Sequence, residues 1–207
     1  MTLRFTLLTE GSSDQVLIPV LLWTLREHSS QLFEPQWAEL RTLPFPPRTL
    51  SAKVQAAVTL YPCDLLFVHR DADRTDRATR VVEISAALRD LADPPAVCVV
   101  PVRMQEAWFL FHEMAIRSAA GNPHGRMPLS LPELASVEEI PDPKRLLHEL
   151  LKTASGLGAH RRKRFSATHR VHRVAEWIDD YSPLRRLSAF RAFETELQEV
   201  LKSHSWL

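Results

Sequence analysis

The chain has 207 residues, of which 45% are apolar and 25% charged. This composition is typical of a folded globular protein with a sizeable core, and it excludes a long disordered tract. The net charge of +1 indicates no particular partner, while the lack of a signal-peptide pattern and of an apolar run of roughly 18 to 20 residues predicts a cytoplasmic protein without a membrane segment.

The first part of the chain alternates apolar segments with helical patterns. An apolar run over residues 3–9 predicts a strand that ends at Glu10, and helical spacing of apolar residues follows over 16–25. A second strand is predicted near residues 37–43, followed by prolines and then by a helix over 51–60. The order strand, helix, strand, helix is typical of a parallel sheet.

The same alternation continues through residue 119. Residues 64–69 form an apolar run of the kind that makes a buried strand, and helical spacing over 75–91 follows it. A β-branched run over 96–102 then precedes a helical pattern over 105–119. Acidic residues stand at these junctions, so we expect them at the carboxyl edge of the sheet.

These elements predict an α/β protein with a mostly parallel sheet flanked by helices over residues 1–120. Residues 121–207 show helical patterns alone and are predicted to form a helical extension packed on that domain. Asp142 and Ser182 each precede a proline, which predicts that both are N-caps of helices in this extension.

Four acidic residues at the strand ends are candidates for a metal site. Asp71 and Asp73 are two residues apart, so in an extended chain both point the same way with roughly 7 Å between their Cα atoms. Carboxylates this close repel each other, and a hard ion such as Mg²⁺ or Mn²⁺ removes that repulsion. Glu10, which precedes a glycine, and Glu106 are predicted to complete a site that works on a phosphodiester.

Each of these acids also has a structural interpretation. Glu10 and Asp14 could cap the first helix, because acids favour helix N-termini. Asp71 and Asp73 could be turn and cap residues before the next helix. Glu106 could be an acid in the first turn of its own helix.

Two segments resemble the signatures of the Toprim superfamily. The apolar strand followed by Glu-Gly-x-x-Asp at residues 10–14 is similar to the first, and the strand followed by Asp-x-Asp at residues 71–73 is similar to the second. The resemblance covers about residues 1–120. It implies a Toprim-like fold in which Glu10, Asp71 and Asp73 bind Mg²⁺, as in topoisomerases, primases, recombination-repair proteins and related nucleases.

More narrowly, the runs at residues 68–73 and 101–108 resemble a bacterial family of uncharacterised Toprim-like proteins that are often encoded beside ATPases. This resemblance implies an ATPase as a partner protein and a role in phage defence. A homodimer is one possible assembly.

The segment Asp71-Ala72-Asp73-Arg74-Thr75 also fits the start of haloacid-dehalogenase-like phosphatases, in which the first Asp is a nucleophile. Those enzymes usually carry this motif on their first strand and need a later lysine and an acidic pair. Asp179 and Asp180 are such a pair but lie in a helical context, which weakens this alternative.

Positive charge is concentrated in residues 144–173, which hold nine lysines or arginines against one acid, Glu149. This stretch is predicted to bind the backbone of a nucleic acid without sequence preference. The alternative is a solvated face or one that pairs with the acidic half. Arg70 and Arg103 flank the acids and are predicted to bind phosphate or to form salt bridges. The candidates within the stretch are Arg161, Arg162, Lys163 and Arg164.

The predicted function is therefore a Mg²⁺- or Mn²⁺-dependent Toprim-type nuclease or phosphodiester-transfer enzyme, in phage defence or DNA repair. Asp71 and Asp73 are the expected metal ligands, Glu10 an acid, base or ligand of a second metal, and Glu106 an assisting carboxylate. The alternatives are a non-catalytic partner or regulator of an ATPase and, less favoured, the phosphatase.

Overall fold

The structure, a computed structural model, describes residues 2–207 and contains one four-stranded sheet. All neighbouring strands pair in parallel, and their order across the sheet is second, first, third, fourth. This confirms the prediction of an α/β fold with a parallel sheet. The strands are β1 (Thr2–Leu8), β2 (Leu32–Trp37), β3 (Leu65–His69) and β4 (Ala96–Val99).

Helices make up most of the remaining chain. The α-helices are α1 (Ile18–His28), α2 (Leu50–Leu60), α3 (Arg77–Leu88), α4 (Glu113–Ala119), α5 (Pro143–Ala154), α6 (Ala159–Arg162), α7 (Thr168–Glu176) and α8 (Ser188–Ser203). Short 3₁₀ turns lie at Ser12–Leu17, Gln105–Phe109, Leu134–Glu139 and Ser182–Arg186. Among residues 2–207, none of the helices combines the length and apolar composition that a membrane crossing requires.

The sheet lies between two layers of helices. Leu66 and Val68 of β3 face the smaller apolar cluster, to which α2 and α3 contribute. The alternate residues Leu65 and Phe67 face the larger cluster, which includes α1 and the helices of the C-terminal part. This alternation follows from the pleat of a strand, and because both faces are covered, β3 is apolar throughout.

The C-terminal helices share the main hydrophobic core with the sheet. Phe193 of α8 packs against Phe67 of β3 and Trp108, with ring centroids 6.1 and 6.0 Å apart. Glu196 of α8 accepts a hydrogen bond of 2.8 Å from the backbone N–H of Cys98 in β4, an edge strand. Glu196 therefore pairs with a backbone N–H that the open edge of β4 would otherwise leave without a partner.

The second strand lies earlier in the chain than the sequence pattern predicts. It spans Leu32–Trp37, whereas the prediction near residues 37–43 is wrong. β2 is an edge strand, so it can hold Pro35 and has no fully buried residue, and the apolar signal of a central strand is missing. The prediction followed Ala38 and Leu40, which are buried beside α2 without being part of a strand.

Two further helix predictions need correction. The pattern over residues 105–119 is not one helix, because a 3₁₀ turn over Gln105–Phe109 ends before α4, whose first turn is capped by Nδ1 of His112. Asp142 caps α5 as predicted. Ser182 does not cap a long helix, since only a 3₁₀ turn follows it, and α8 begins at Ser188.

Candidate functional site at the carboxyl edge of the sheet

Five polar residues meet in the interior where β1, β3 and β4 end. We call them the buried acidic cluster, and each is at most 7% exposed except Asp71, whose side chain is 24% exposed. Parallel strands bring their carboxyl ends to one edge, so residues from three distant segments converge there. The cluster consists of Asp14, His69, Asp71, Gln105 and Glu106.

Asp14 connects the first turn of the chain to the cluster. Its carboxylate accepts hydrogen bonds from the backbone N–H of Gly11 at 2.8 Å and from the Ser13 hydroxyl at 2.9 Å. It also accepts a bond of 2.9 Å from the side-chain amide of Gln105. Asp14 therefore stabilises the turn that caps this segment and also places a negative charge inside the cluster.

His69, the last residue of β3, lies between two carboxylates. Its Nε2 is 3.5 Å from Oδ1 of Asp71 and 4.0 Å from Oδ2 of Asp14, and its Nδ1 is 2.9 Å from the carbonyl oxygen of Val99. Burial lowers the pKa of His69, while the negative charge of Asp14 opposes that shift. The imidazole therefore favours its neutral form in these surroundings.

Asp71 has the most strongly altered acidity of the predicted site residues. Burial, reinforced by the negative charges of Glu106 and Asp14, raises the pKa of Asp71 to about 8. The backbone N–H of Gln105 donates a hydrogen bond of 2.8 Å to Oδ1 and partly offsets the shift. Holding this carboxylate ionised near neutral pH therefore requires additional positive charge.

Glu106 joins the cluster to the basic stretch of the chain. Burial raises the pKa of Glu106, and Lys144 opposes that shift. The Nζ atom of Lys144 lies 3.5 Å from Oε1 of Glu106 and is close to solvent, since the lysine side chain is 45% exposed. Lys144 is the second residue of α5 and the first residue of the basic stretch, so that stretch begins at the cluster.

Glu10 lies outside the buried cluster and pairs with an arginine. Its Oε1 accepts a hydrogen bond of 2.9 Å from Nε of Arg70 and forms an ion pair with Nη2 at 2.9 Å, and the glutamate side chain is 42% exposed. Arg70 also contacts Glu83 of α3. The salt-bridge alternative for Arg70 is thus what the structure contains, and Glu10 is held at the solvent side of the site.

Asp73 also differs from its predicted backbone conformation. The prediction of an extended chain through both residues is wrong, because Asp73 has a left-handed backbone with φ 54° and lies in a turn closed by Thr75 and Ala72. Its carboxylate is 49% exposed and 3.5 Å from Nη2 of Arg80. Neither aspartate caps α3, since Asp76 does so by accepting from the backbone of Thr79.

Arg103 stands beside Asp73 in an unusual backbone conformation. Its φ is 63°, its carbonyl oxygen accepts a hydrogen bond of 2.7 Å from the backbone N–H of Asp73, and its Nη1 lies 3.4 Å from the carbonyl oxygen of that residue. The guanidinium lines a surface cleft of about 550 Å³ together with Arg74, Thr75 and Asp142, among others. An arginine in this conformation is costly, so we interpret its presence as a feature of the site.

Replacing Arg103 with glycine is expected to raise the free energy of unfolding by about 0.5 to 1 kcal/mol. The left-handed conformation costs an L side chain about 1 to 2 kcal/mol, a cost that glycine avoids. The greater backbone freedom of glycine in the unfolded chain offsets part of this gain. Urea denaturation measures the change. Arg89→Gly is the matched control and should destabilise, because Arg89 has a right-handed backbone. A loss of stability in Arg103→Gly would contradict the expected relief of strain.

The predicted nucleic-acid contacts in the basic stretch are all on the surface. Four consecutive basic residues in and after α6 are exposed and form no ion pair within residues 2–207. Their charge is therefore available to a polyanion, which the alternative of pairing with the acidic half would prevent. These residues are Arg161, Arg162, Lys163 and Arg164.

The donor atoms of the cluster are those that a divalent metal prefers. Within residues 2–207, no group of three His, Cys, Asp or Glu side chains is arranged to hold a metal ion by itself. Besides the carboxylates and the imidazole, Gln105 offers an amide oxygen, since its Oε1 is buried and accepts no hydrogen bond. Carboxylate and amide oxygens suit Mg²⁺ and Mn²⁺, so in chemistry the residues fit the ion implied by the sequence.

Of the predicted site residues, Asp71 and Glu106 are in the cluster, while Glu10 and Asp73 lie at its rim. Sequence reasoning treated Asp14 only as a helix cap or part of a signature, and it assigned no role to His69 or Gln105. The signal for both was their position, since His69 is the last residue of the apolar run before Asp71 and Gln105 directly precedes Glu106.

A comparison with protein-family models, curated proteins and solved structures found no match to this chain. What the protein does must therefore be inferred from the geometry and chemistry of the site.

Proposed function

We propose that the protein is a divalent-metal-dependent nuclease of the Toprim type, or a related phosphodiester-transfer enzyme. The observation that carries this proposal is the burial of Asp14, Asp71 and Glu106 in one cluster, which raises the pKa of Asp71 to about 8. Such a concentration of carboxylates is costly without a cation. Enzymes arrange this kind of perturbed group at sites where a metal and a phosphate meet.

Asp14 and Asp71 are the residues that would hold the ion, and Glu106 would add a third carboxylate to its surroundings. When bound, a divalent cation supplies stabilisation for the negative charge that develops on phosphoryl oxygens. Glu10 is the proposed acid or base, and its 42% exposed side chain at the solvent side of the site supports this role. Asp73 and Arg103 at the rim are placed to orient the substrate beside the cleft.

A nucleic acid is the substrate that the charge distribution favours. Lys144 contacts Glu106 in the cluster, and the exposed basic residues of α6 follow it along the same stretch of chain. A phosphodiester backbone neutralises such residues irrespective of base sequence. The basic stretch therefore supports binding of a polymer, whereas a small phosphate ester would need only the groups near the cluster.

The test is a cleavage assay on plasmid DNA, tRNA and mixed RNA, with Mg²⁺ or Mn²⁺. We expect cleavage that EDTA stops and that Asp71→Ala and Glu10→Gln both abolish. Cleavage that survives Asp71→Ala would point to a contaminant. No cleavage of any substrate would overturn the proposal. It would favour a non-catalytic partner of an ATPase, and the next measurement would then be binding to a protein that does not weaken with salt.

The phosphatase alternative is less favoured by the site. The acidic pair that such an enzyme needs would be Asp179 and Asp180, which are exposed and are not part of the buried acidic cluster. Asp180 is also occupied elsewhere, since it accepts hydrogen bonds of 2.8 Å from the backbone N–H and the hydroxyl of Ser182. Release of phosphate from small esters, with no cleavage of polymers, would support this alternative instead.

The basic stretch gives a quantitative prediction about salt. The triple variant of Arg161, Arg162 and Arg164 to glutamine is expected to weaken nucleic-acid binding and to lower the slope of log affinity against log salt by about 2 to 3. Fluorescence anisotropy at several salt concentrations measures the slope. The matched control changes three exposed basic residues outside the stretch and should leave the slope unchanged. Those three residues are Arg48, Arg89 and Lys202.

A further inference from the structure

The imidazole of His69 offers a lone pair to the interior of the acidic cluster. A backbone carbonyl can only accept, so the contact of 2.9 Å between Nδ1 and the oxygen of Val99 places a hydrogen on Nδ1. In the neutral ring, which is the form that binds metals, Nε2 then carries the lone pair. That nitrogen faces carboxyl oxygens of Asp14 and Asp71, and when both groups are ionised neither can donate a hydrogen bond to it.

These distances are those of ligands that share an ion. Nitrogen and oxygen ligands lie about 2.0 to 2.2 Å from a bound metal, so two ligands of one ion are about 3 to 4 Å apart. Nε2 of His69 is 3.5 Å from Oδ1 of Asp71 and 4.0 Å from Oδ2 of Asp14. The hydrogen bond from Nδ1 to Val99 is also the kind of contact that orients a metal-binding histidine.

Gln105 supplies a second unpartnered acceptor at the same place. The residue is 1% exposed, its backbone N–H binds Asp71 at 2.8 Å and its side-chain nitrogen binds Asp14 at 2.9 Å. Its Oε1, on the same side-chain amide that binds Asp14, is buried and accepts no hydrogen bond. An unpaired buried oxygen is costly, and a cation would satisfy it.

We propose that His69, through Nε2, is a metal ligand together with Asp14, Asp71 and the side-chain oxygen of Gln105, and that the site therefore takes a first-row transition ion such as Mn²⁺ in preference to Mg²⁺. Mg²⁺ is bound almost entirely through oxygen and retains several waters, whereas an imidazole nitrogen favours transition ions. This inference rests on the proposed function and specifies its metal.

Pulsed electron paramagnetic resonance of bound Mn²⁺ tests the nitrogen ligand directly. We expect modulation from one coordinated ¹⁴N nucleus, which changes to that of ¹⁵N when the protein is labelled with ¹⁵N-histidine. The His69→Gln variant is expected to lose this signal. His148→Gln is the matched control and should keep it, because His148 is a half-buried histidine one turn from Lys144. The labelled wild-type protein supplies the test even if His69→Gln folds poorly.

Competition calorimetry tests the choice of metal. We expect the metal-free wild-type protein to bind Mn²⁺ about tenfold or more tightly than Mg²⁺, and His69→Gln to remove most of that preference. Bound Mn²⁺ without nitrogen modulation, or a signal that survives His69→Gln, would overturn this inference. Equal cleavage with either ion and no nitrogen signal would leave the nuclease proposal standing, while a nitrogen signal without any cleavage would leave the metal site and remove the nuclease.

Discussion

Asp71→Asn is expected to abolish metal-dependent cleavage and, at the same time, to stabilise the metal-free protein at pH 8.5. The carboxylate is the central ligand of the proposed site, so its loss should lower the cleavage rate by about 100-fold or more. The stabilising effect has a separate cause, since asparagine can still accept the hydrogen bond from Gln105 but carries no charge next to Asp14. A residue kept for stability alone would show the opposite result.

The pH dependence of this effect follows from the raised pKa of Asp71. The group titrates at about 8 in the folded protein instead of at its ordinary value of 3.8. Below pH 4 the carboxyl is protonated in both states and changes nothing. Between pH 4 and 8 the unfolded chain releases the proton and the folded protein keeps it, so the free energy of unfolding falls as the pH rises. Asparagine removes this loss.

Urea denaturation in EDTA at pH 5 and pH 8.5 measures the difference. We expect Asp71→Asn to gain about 2 to 5 kcal/mol over wild type at pH 8.5, and much less at pH 5. Asp73→Asn is the matched control and should change stability little, because Asp73 is half exposed and pairs with Arg80. A variant less stable than wild type at pH 8.5 would mean that the charge of Asp71 does not destabilise the folded protein.

Phe193→Ala is expected to reduce the free energy of unfolding by about 3 to 5 kcal/mol, the usual effect of removing a buried aromatic ring. Phe193 lies in α8, is fully buried and packs against Phe67, Trp108 and Phe190. The loss should appear as one cooperative transition of the whole chain, because the ring joins α8 to the sheet. Chemical denaturation followed by far-ultraviolet circular dichroism measures it.

Phe45→Ala is the matched control for that variant. Phe45 is 91% exposed, so its removal is expected to change the free energy of unfolding by less than about 0.5 kcal/mol. If Phe193→Ala instead melted the C-terminal helices separately and left the sheet intact, residues 121–207 would form an independent unit. The predicted domain boundary near residue 120 would then separate two units that unfold independently.

The sequence predicts the strands whose two faces are covered better than β2, whose side chains are exposed or only half-buried. β3 and β4 are apolar because they are covered on both sides, and that apolar signal locates them without knowledge of the fold. β2 has one free edge and exposed side chains, so composition alone does not distinguish it from a loop. The 3₁₀ turn that ends at Phe109 is separate from α4, which begins after the cap formed by the His112 side chain. The spacing of apolar residues does not reveal this break.

The candidate site could be predicted only in part for a related reason. Acids after strands identify Asp71 and Glu106, because parallel strands must bring their ends together. Whether an acid then faces inward depends on turn geometry, as the left-handed backbone of Asp73 shows. The roles of Gln105 and Lys144 arise from contacts between distant segments, and their residue types are too common to indicate a site in isolation.

The position of α8 has a consequence for biosynthesis. This helix is built from residues 188–203, yet its phenylalanines complete the packing around Phe67 and Trp108, next to the segments that carry the acids. A growing polypeptide therefore cannot bury that side of the sheet until residues 188–203 have left the ribosome. The core beneath the buried acidic cluster would then be completed only after this helix has been translated.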